Sequence, residues 1–431
     1  MANGLEAGVA RADITPAVGI PMVGFAGRGA STDVHDPLYA TCLALRDGDD
    51  VALLIQCDLL QLQAYTVTSI RGHVEAATGV PGDRVMLSCT HTHYGPSVDR
   101  DETSIVDAYR GHLAHQLAGA ALEALGDTRE AQLGVAWGDS DIAINRRERR
   151  EDGAIWLGNN PDGPVDRALG VARIETAGGF PLACLVNFAC HPVSQSGRMQ
   201  SLSADFPGSA RDVVEELTGA PTLYLQGACG DLNPVLMEHA YEPARTLGVR
   251  LGCAVVNLWE RIATEPAGGV AISHVDEDLP RYRYGSEHDA RELAAELDEQ
   301  IARLEAAEGT EGSLWWARRR RDGAVAAAES WSSGAALEPV PAEMQALRLG
   351  DLALASAPAE IFTENGALVK RESPADDTFF LGYTNGSIGY VPTRQAYPEG
   401  GYEVTHACRV DPDAGDIIND ACLRMLANVT A

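Results

Sequence analysis

Histidine is scarce in this chain, with 11 among 431 residues, so its placement is informative. Two of them stand in Thr90-His91-Thr92-His93, directly after the apolar run 84–89. Alternating residues at a strand exit point to the same side. His91 and His93 can therefore face one pocket at the carboxyl edge of a sheet, where open α/β folds place ligands. A second apolar run, 185–190, leads into His191-Pro192. A third, 223–226, leads into Gly227-Ala228-Cys229-Gly230-Asp231-Leu232-Asn233-Pro234. Neutral imidazoles suit zinc, and a catalytic zinc takes about three protein ligands plus an open position. Taken alone, the His-x-His pair fits two loop histidines as well as it fits a metal site.

The elements that must carry these residues alternate between short apolar runs and longer helical patterns. Strands are expected at 51–57, 84–89, 132–137, 169–174, 182–188, 221–226, 346–349 and 352–356. Helices are expected at 61–77, 103–125 and 205–217, with a last one near 416–426. This alternation predicts an α/β fold, a mixed and largely buried β-sheet core with flanking helices. Over 287–308 the period becomes strictly helical, with Leu293, Leu297, Ile301 and Leu304 on one stripe. The following segment carries Arg318-Arg319-Arg320-Arg321. It reads either as a helical hairpin with a solvated charged face, or as a lid or an arginine clamp for an anionic substrate group. No internal repeat is visible. The expected organisation is a single domain over 1–431 with a helical insertion at about 285–335.

Composition narrows the function. Lys and Arg total 33 against 62 Asp and Glu, a net charge of −29. Such a surface repels phosphate backbones and anionic membranes, so neither nucleic acid nor a membrane is an expected partner. No run reaches the ~18–20 apolar residues of a spanning helix. The start, Met1-Ala2-Asn3-Gly4-Leu5-Glu6, lacks the basic and apolar regions of a signal peptide. Most of the nine cysteines sit in apolar runs and no CxxC pair occurs, which reads as free buried thiols in a reducing cytoplasm.

The motifs, in order, resemble the catalytic N-terminal domain of the neutral/alkaline (non-lysosomal) ceramidase family. The resemblance begins at Gly8-Val9-Ala10-Arg11-Ala12-Asp13-Ile14-Thr15-Pro16 and passes through His35-Asp36-Pro37-Leu38-Tyr39-Ala40. It continues through Thr90-His91-Thr92-His93-Tyr94-Gly95-Pro96, Asn145-Arg146, Asn160-Pro161 and 187–192. It ends with Gly230-Asp231-Leu232-Asn233-Pro234, Pro358-Ala359-Glu360 and Gly389-Tyr390 with Thr393, Tyr397 and Tyr402. The resemblance implies one zinc ion per chain on His91, His191, Glu360 and Tyr390. It places His93 at the substrate carbonyl, with Arg146 and Tyr402 lining the same site. Read without it, Glu360 is a first-turn helix acid, Tyr390 a core aromatic and Arg146 part of a solvated loop. Asp58 would hold a ligand histidine or cap the next helix. His35 is a candidate for the same cleft, Arg28 for a polar substrate end, and Tyr397, Asp231 and Asn233 for the substrate side.

This chain departs from the family in three respects. Neither a C-terminal β-sandwich domain after the Tyr390 motif nor an export signal is expected. Asn233 stands where the family's GDxSP motif has a serine, which removes a covalent serine route and leaves metal-activated water. The implied activity is hydrolysis of the amide bond of an N-acyl compound smaller and more soluble than ceramide, in small-molecule biosynthesis or degradation. Three other readings use the same residues. One is an ester or phosphoester hydrolase with further metal ligands at Asp58, Asp231 and His35. The others are a lactam-forming cyclase and a non-catalytic small-molecule-binding homologue. Oligomeric state is open.

Overall fold

The computed structural model describes residues 4–99, 103–307 and 311–431. Residues 1–3 of the amino-terminal segment read above, and Glu308, lie outside the described residues. The chain forms a mixed α/β fold around three larger sheets. The first runs Val85–Cys89, Asp50–Cys57, Tyr39–Asp47, Glu6–Asp13, Arg129–Glu130. The second runs Thr222–Gln226, Pro181–Phe188, Ala168–Glu175, Gln132–Asp139, Glu265–Pro266. The third runs Val270–Leu279, Val340–Leu349, Leu352–Ser356, Asp377–Leu381.

Each sheet is antiparallel except for one parallel pair at an edge. Parallel neighbours need a crossover, and here each crossover is a helix. Ala64–Thr78 joins the pair in the first sheet, Asp205–Thr218 in the second and Thr363–Glu372 in the third. The first two helices stop in the same way. Gly79 and Gly219 take left-handed φ values of 76° and 71°, and their N–H groups return to Glu75 and Glu215. In the strands Val85–Cys89, Thr222–Gln226 and Leu352–Ser356 every residue is buried. This is why they read as continuous apolar runs and not as alternating ones. Truncating one of them, Leu87→Ala for example, would cost about 2–5 kcal/mol.

The arginine-rich segment 146–150 is not a solvated loop. Ala143–Arg149 is a strand held between Leu232–Pro234 and Ile155–Asn160, and both Arg146 and Arg147 are buried. The stretch after the third sheet's first strand forms two helices, Glu287–Ala306 and Glu311–Ser333. Ser286 caps the first, accepting from the Asp289 N–H at 3.2 Å. The two pack through a small cluster of Ala290, Ala327 and Ala328. Among the described residues no helix is long and apolar enough to cross a membrane.

Candidate metal centre

The carboxyl ends of the three parallel pairs deliver their loops to one place. His91 follows Val85–Cys89, His191 follows Pro181–Phe188, and Glu360 follows Leu352–Ser356. Gln226, at the end of the strand Thr222–Gln226, ties two of these loops together. Its amide donates to the carbonyls of Thr90 at 3.0 Å and Cys190 at 2.8 Å, the residues just before His91 and His191. The His93 N–H adds a bond to the Pro192 carbonyl at 3.2 Å. As a result His91 Nε2 lies 3.1 Å from His191 Nε2 and 3.2 Å from His93 Nε2. Ligating atoms of the three imidazoles all fall within 4.8 Å of one another.

The protonation of two rings follows from their outer nitrogens. His91 Nδ1 meets the Leu60 carbonyl at 2.8 Å, and His191 Nδ1 meets the Cys229 carbonyl at 2.7 Å. A carbonyl only accepts, so each Nδ1 carries the proton and each Nε2 turns a lone pair inward. Burial, then the Arg146 charge, lowers the His191 pKa to about 4, which favours the neutral ring that a cation binds. Glu360 Oε2 stands 3.4 Å from both Nε2 atoms, buried and without a hydrogen bond of normal geometry. Lone pairs and a carboxylate facing one another in a buried space suit a cation held between them. The residues therefore fit a metal ion. His93 differs from its neighbours, because its Nδ1 is buried with no partner. His91 itself sits in the left-handed region at φ 66°. That costs on the order of 1–3 kcal/mol and is supported by Tyr383, whose ring stacks on it at 3.8 Å.

The opposite side is built from charge. Glu360–Ile361 and Tyr390–Val391 form a short parallel pair that sets Glu360 opposite Tyr390. Gly230 lets it approach, since a Cβ there would lie 2.5 Å from the Glu360 carbonyl oxygen. Arg146 Nη2 donates to the Tyr390 hydroxyl at 2.9 Å, and its Nη1 lies 3.4 Å from His191 Nε2. Burial raises the Tyr390 pKa well above its ordinary value, and Arg146 opposes that rise. Glu403 holds the arginine from behind. Its carboxylate accepts from Arg146 Nε at 2.8 Å and from Arg147 Nη1 at 2.9 Å. Glu403 is fully buried and escaped the sequence reading, where only its position beside Tyr402 pointed to it. Tyr402 stands at the mouth, 38% exposed, with its ring 5.8 Å from that of Tyr390.

Several candidates prove to have other tasks. Asp58 neither holds a ligand histidine nor caps a helix. Its carboxylate accepts from Arg211 at 2.6 Å, the Tyr39 N–H at 3.0 Å and Gln56 at 3.1 Å. Arg28 donates to backbone carbonyls of Val23, His93 and Met199, so it braces the His93 loop. His35 bonds Asp36 at 2.7 Å and stacks on Tyr241, making no contact with the imidazole cluster. The Tyr397 hydroxyl donates to the Val410 carbonyl at 2.8 Å within the core. Asp231 is a brace, accepting from Asn145 at 3.0 Å and from the Thr363 N–H at 2.8 Å. Asn233 pairs with Ile144 across the short sheet that carries Arg146. Among the described residues, His91, His93 and His191 are the one grouping of His, Cys, Asp and Glu tight enough to hold an ion.

Three strand–helix–strand crossovers converging on a buried imidazole and carboxylate centre define a metal-capable α/β fold. No protein-family model and no curated protein matches the chain. Among solved structures, it is similar to the neutral ceramidase from Pseudomonas aeruginosa. The TM-score is 0.76 at 19% identity, covering 98% of this chain and 74% of that one. A ceramidase complexed with C2 gives a TM-score of 0.74 at 18% identity, covering 99% and 75%. The chain thus has a neutral-ceramidase-like fold.

Proposed function

We propose that this protein is a zinc-dependent amidohydrolase that cleaves the N-acyl bond of a small, soluble substrate with activated water. One observation carries the reading: the inward Nε2 atoms of His91 and His191 converge with the partnerless Glu360 Oε2 beside Tyr390. His91, His191, Glu360 and Tyr390 would hold one ion per chain. When bound, zinc lowers the pKa of water to about 7 and polarises an amide carbonyl.

The remaining work falls to the chain's own residues. His93 has no carbonyl fixing its tautomer, so its Nε2 is the atom to pass a proton to the departing nitrogen. Arg146, immobilised by Glu403, directs positive charge at the oxygen of the carbonyl under attack, and Tyr402 adds a donor from the mouth. Asn233 offers no nucleophile, which agrees with a route that forms no acyl-enzyme. The likeness to ceramidases supports the amide bond as target. Nine free cysteines, eight of them buried, support a reducing compartment such as the cytoplasm. The whole chain acting as one catalytic domain is part of this proposal.

A panel of soluble N-acyl amines, tested with native, chelator-treated and zinc-restored protein, examines the reading. Hydrolysis that falls at least tenfold on chelation and returns with zinc is expected. Hydrolysis indifferent to chelation would sink it.

A further inference from the structure

The segment 382–385, which follows the strand Asp377–Leu381, splices the three larger sheets beside the candidate metal centre. The Gly382 N–H donates to the Gln226 carbonyl of the second sheet at 3.0 Å. The Tyr383 N–H donates at 3.2 Å to the carbonyl of Ala359, the residue before Glu360. The Tyr383 carbonyl accepts at 3.2 Å from the N–H of Cys89, two residues before His91. Asn385 completes the seam to the first sheet. Its N–H donates to the Leu87 carbonyl at 2.8 Å, and its side-chain oxygen accepts from the Leu87 N–H at 2.9 Å. Tyr383 and Asn385 both take left-handed φ values, 52° and 61°. Asparagine tolerates that region, whereas a bulky aromatic is kept there only by its surroundings.

The buried Tyr383 side chain backs the same site. Its ring lies on that of His91, with centroids 3.8 Å apart and planes 25° from parallel. That contact restrains rotation of the imidazole, so its Nδ1 stays on the Leu60 carbonyl. The Tyr383 hydroxyl meets Cys229 Sγ at 3.1 Å, and the Cys229 carbonyl accepts from His191 Nδ1. One residue thus touches His91 directly, reaches His191 through Cys229 and borders Glu360 through Ala359. We infer that Tyr383 is a positioning residue, which holds His91, His191 and Glu360 in ion-binding geometry before an ion arrives. Ligand imidazoles are commonly oriented by a partner on the outer nitrogen. Here backbone carbonyls take that place, and a stacked ring adds the restraint that a single hydrogen bond leaves open. The inference rests on reading the site as a metal centre.

Zinc affinity of the full-length, metal-stripped protein, measured by competition with a chromogenic chelator, tests it. Tyr383→Leu, and Tyr383→Met with more of the volume kept, should each bind zinc about 10–100-fold more weakly. Tyr383→Phe keeps the ring and should stay close to wild type. The visible absorption of the cobalt-loaded protein should shift in the Leu and Met variants and match the wild type in the Phe variant. Phe379→Leu is the control for plain loss of packing. Phe379 is fully buried in the preceding strand, its ring 5.4 Å from that of Trp137. Its truncation should leave both zinc affinity and the cobalt spectrum unchanged. Wild-type affinity in Tyr383→Leu or Tyr383→Met overturns the inference and leaves the metal centre standing. So does an equal loss in Phe379→Leu or Tyr383→Phe. No binding of zinc or cobalt by the wild type removes the metal centre, and the inference with it.

Discussion

The two sides of the candidate metal centre are held by different physics. On the imidazole side, His91 and His191 stand at the ends of buried strands, and backbone carbonyls of Leu60 and Cys229 set their tautomers. On the arginine side, Arg146, which donates to the Tyr390 hydroxyl, is held by one buried carboxylate, Glu403, from a four-residue helix. The first arrangement is fixed by topology and by the Gln226 amide that joins the two loops. The second is fixed by charge, so a single neutralising substitution should loosen it.

The variants that break this comparison fall in order of effect. His91→Ala should abolish both zinc binding and hydrolysis. His93→Ala should keep the zinc and lose about 10²–10⁴-fold in kcat; loss of zinc as well would make His93 a ligand. Glu403→Gln should keep the zinc, lower kcat about 10²-fold through misplacement of Arg146 and lower stability by about 3–5 kcal/mol in urea melts. Asp58→Asn provides the contrast. It breaks an equally buried pair, Asp58 with Arg211 at 2.6 Å, so a similar stability loss is expected with kcat retained in the protein that remains folded. Equal kcat losses in both variants would mean that Glu403 has no special link to the site. Tyr402→Phe should show the smallest effect, about tenfold in kcat, because the mouth is open to water.

What could be read from sequence follows the same division. The His91 and His191 loops were legible because their strands are buried on both faces and form unbroken apolar runs. The common plan of the three crossovers was not, since their loops and helices share no sequence period. Glu360 and Tyr390 emerged through the family resemblance, because a lone Glu at a strand–helix junction and a lone Tyr carry no pattern of their own. Arg146 looked solvated on local charge alone. Its partner Glu403 lies 257 residues away, and the Asp58 partner Arg211 lies 153 residues away. Partners at such separations leave no local trace, and this is where the readings of Asp58 and the 146–150 run failed.

Zinc content per chain, measured by elemental mass spectrometry on wild type and His191→Ala together, tests the central claim most directly. The account predicts about one zinc in the wild type and little in the variant. Equal zinc in both, or none in either after zinc is supplied, would contradict it.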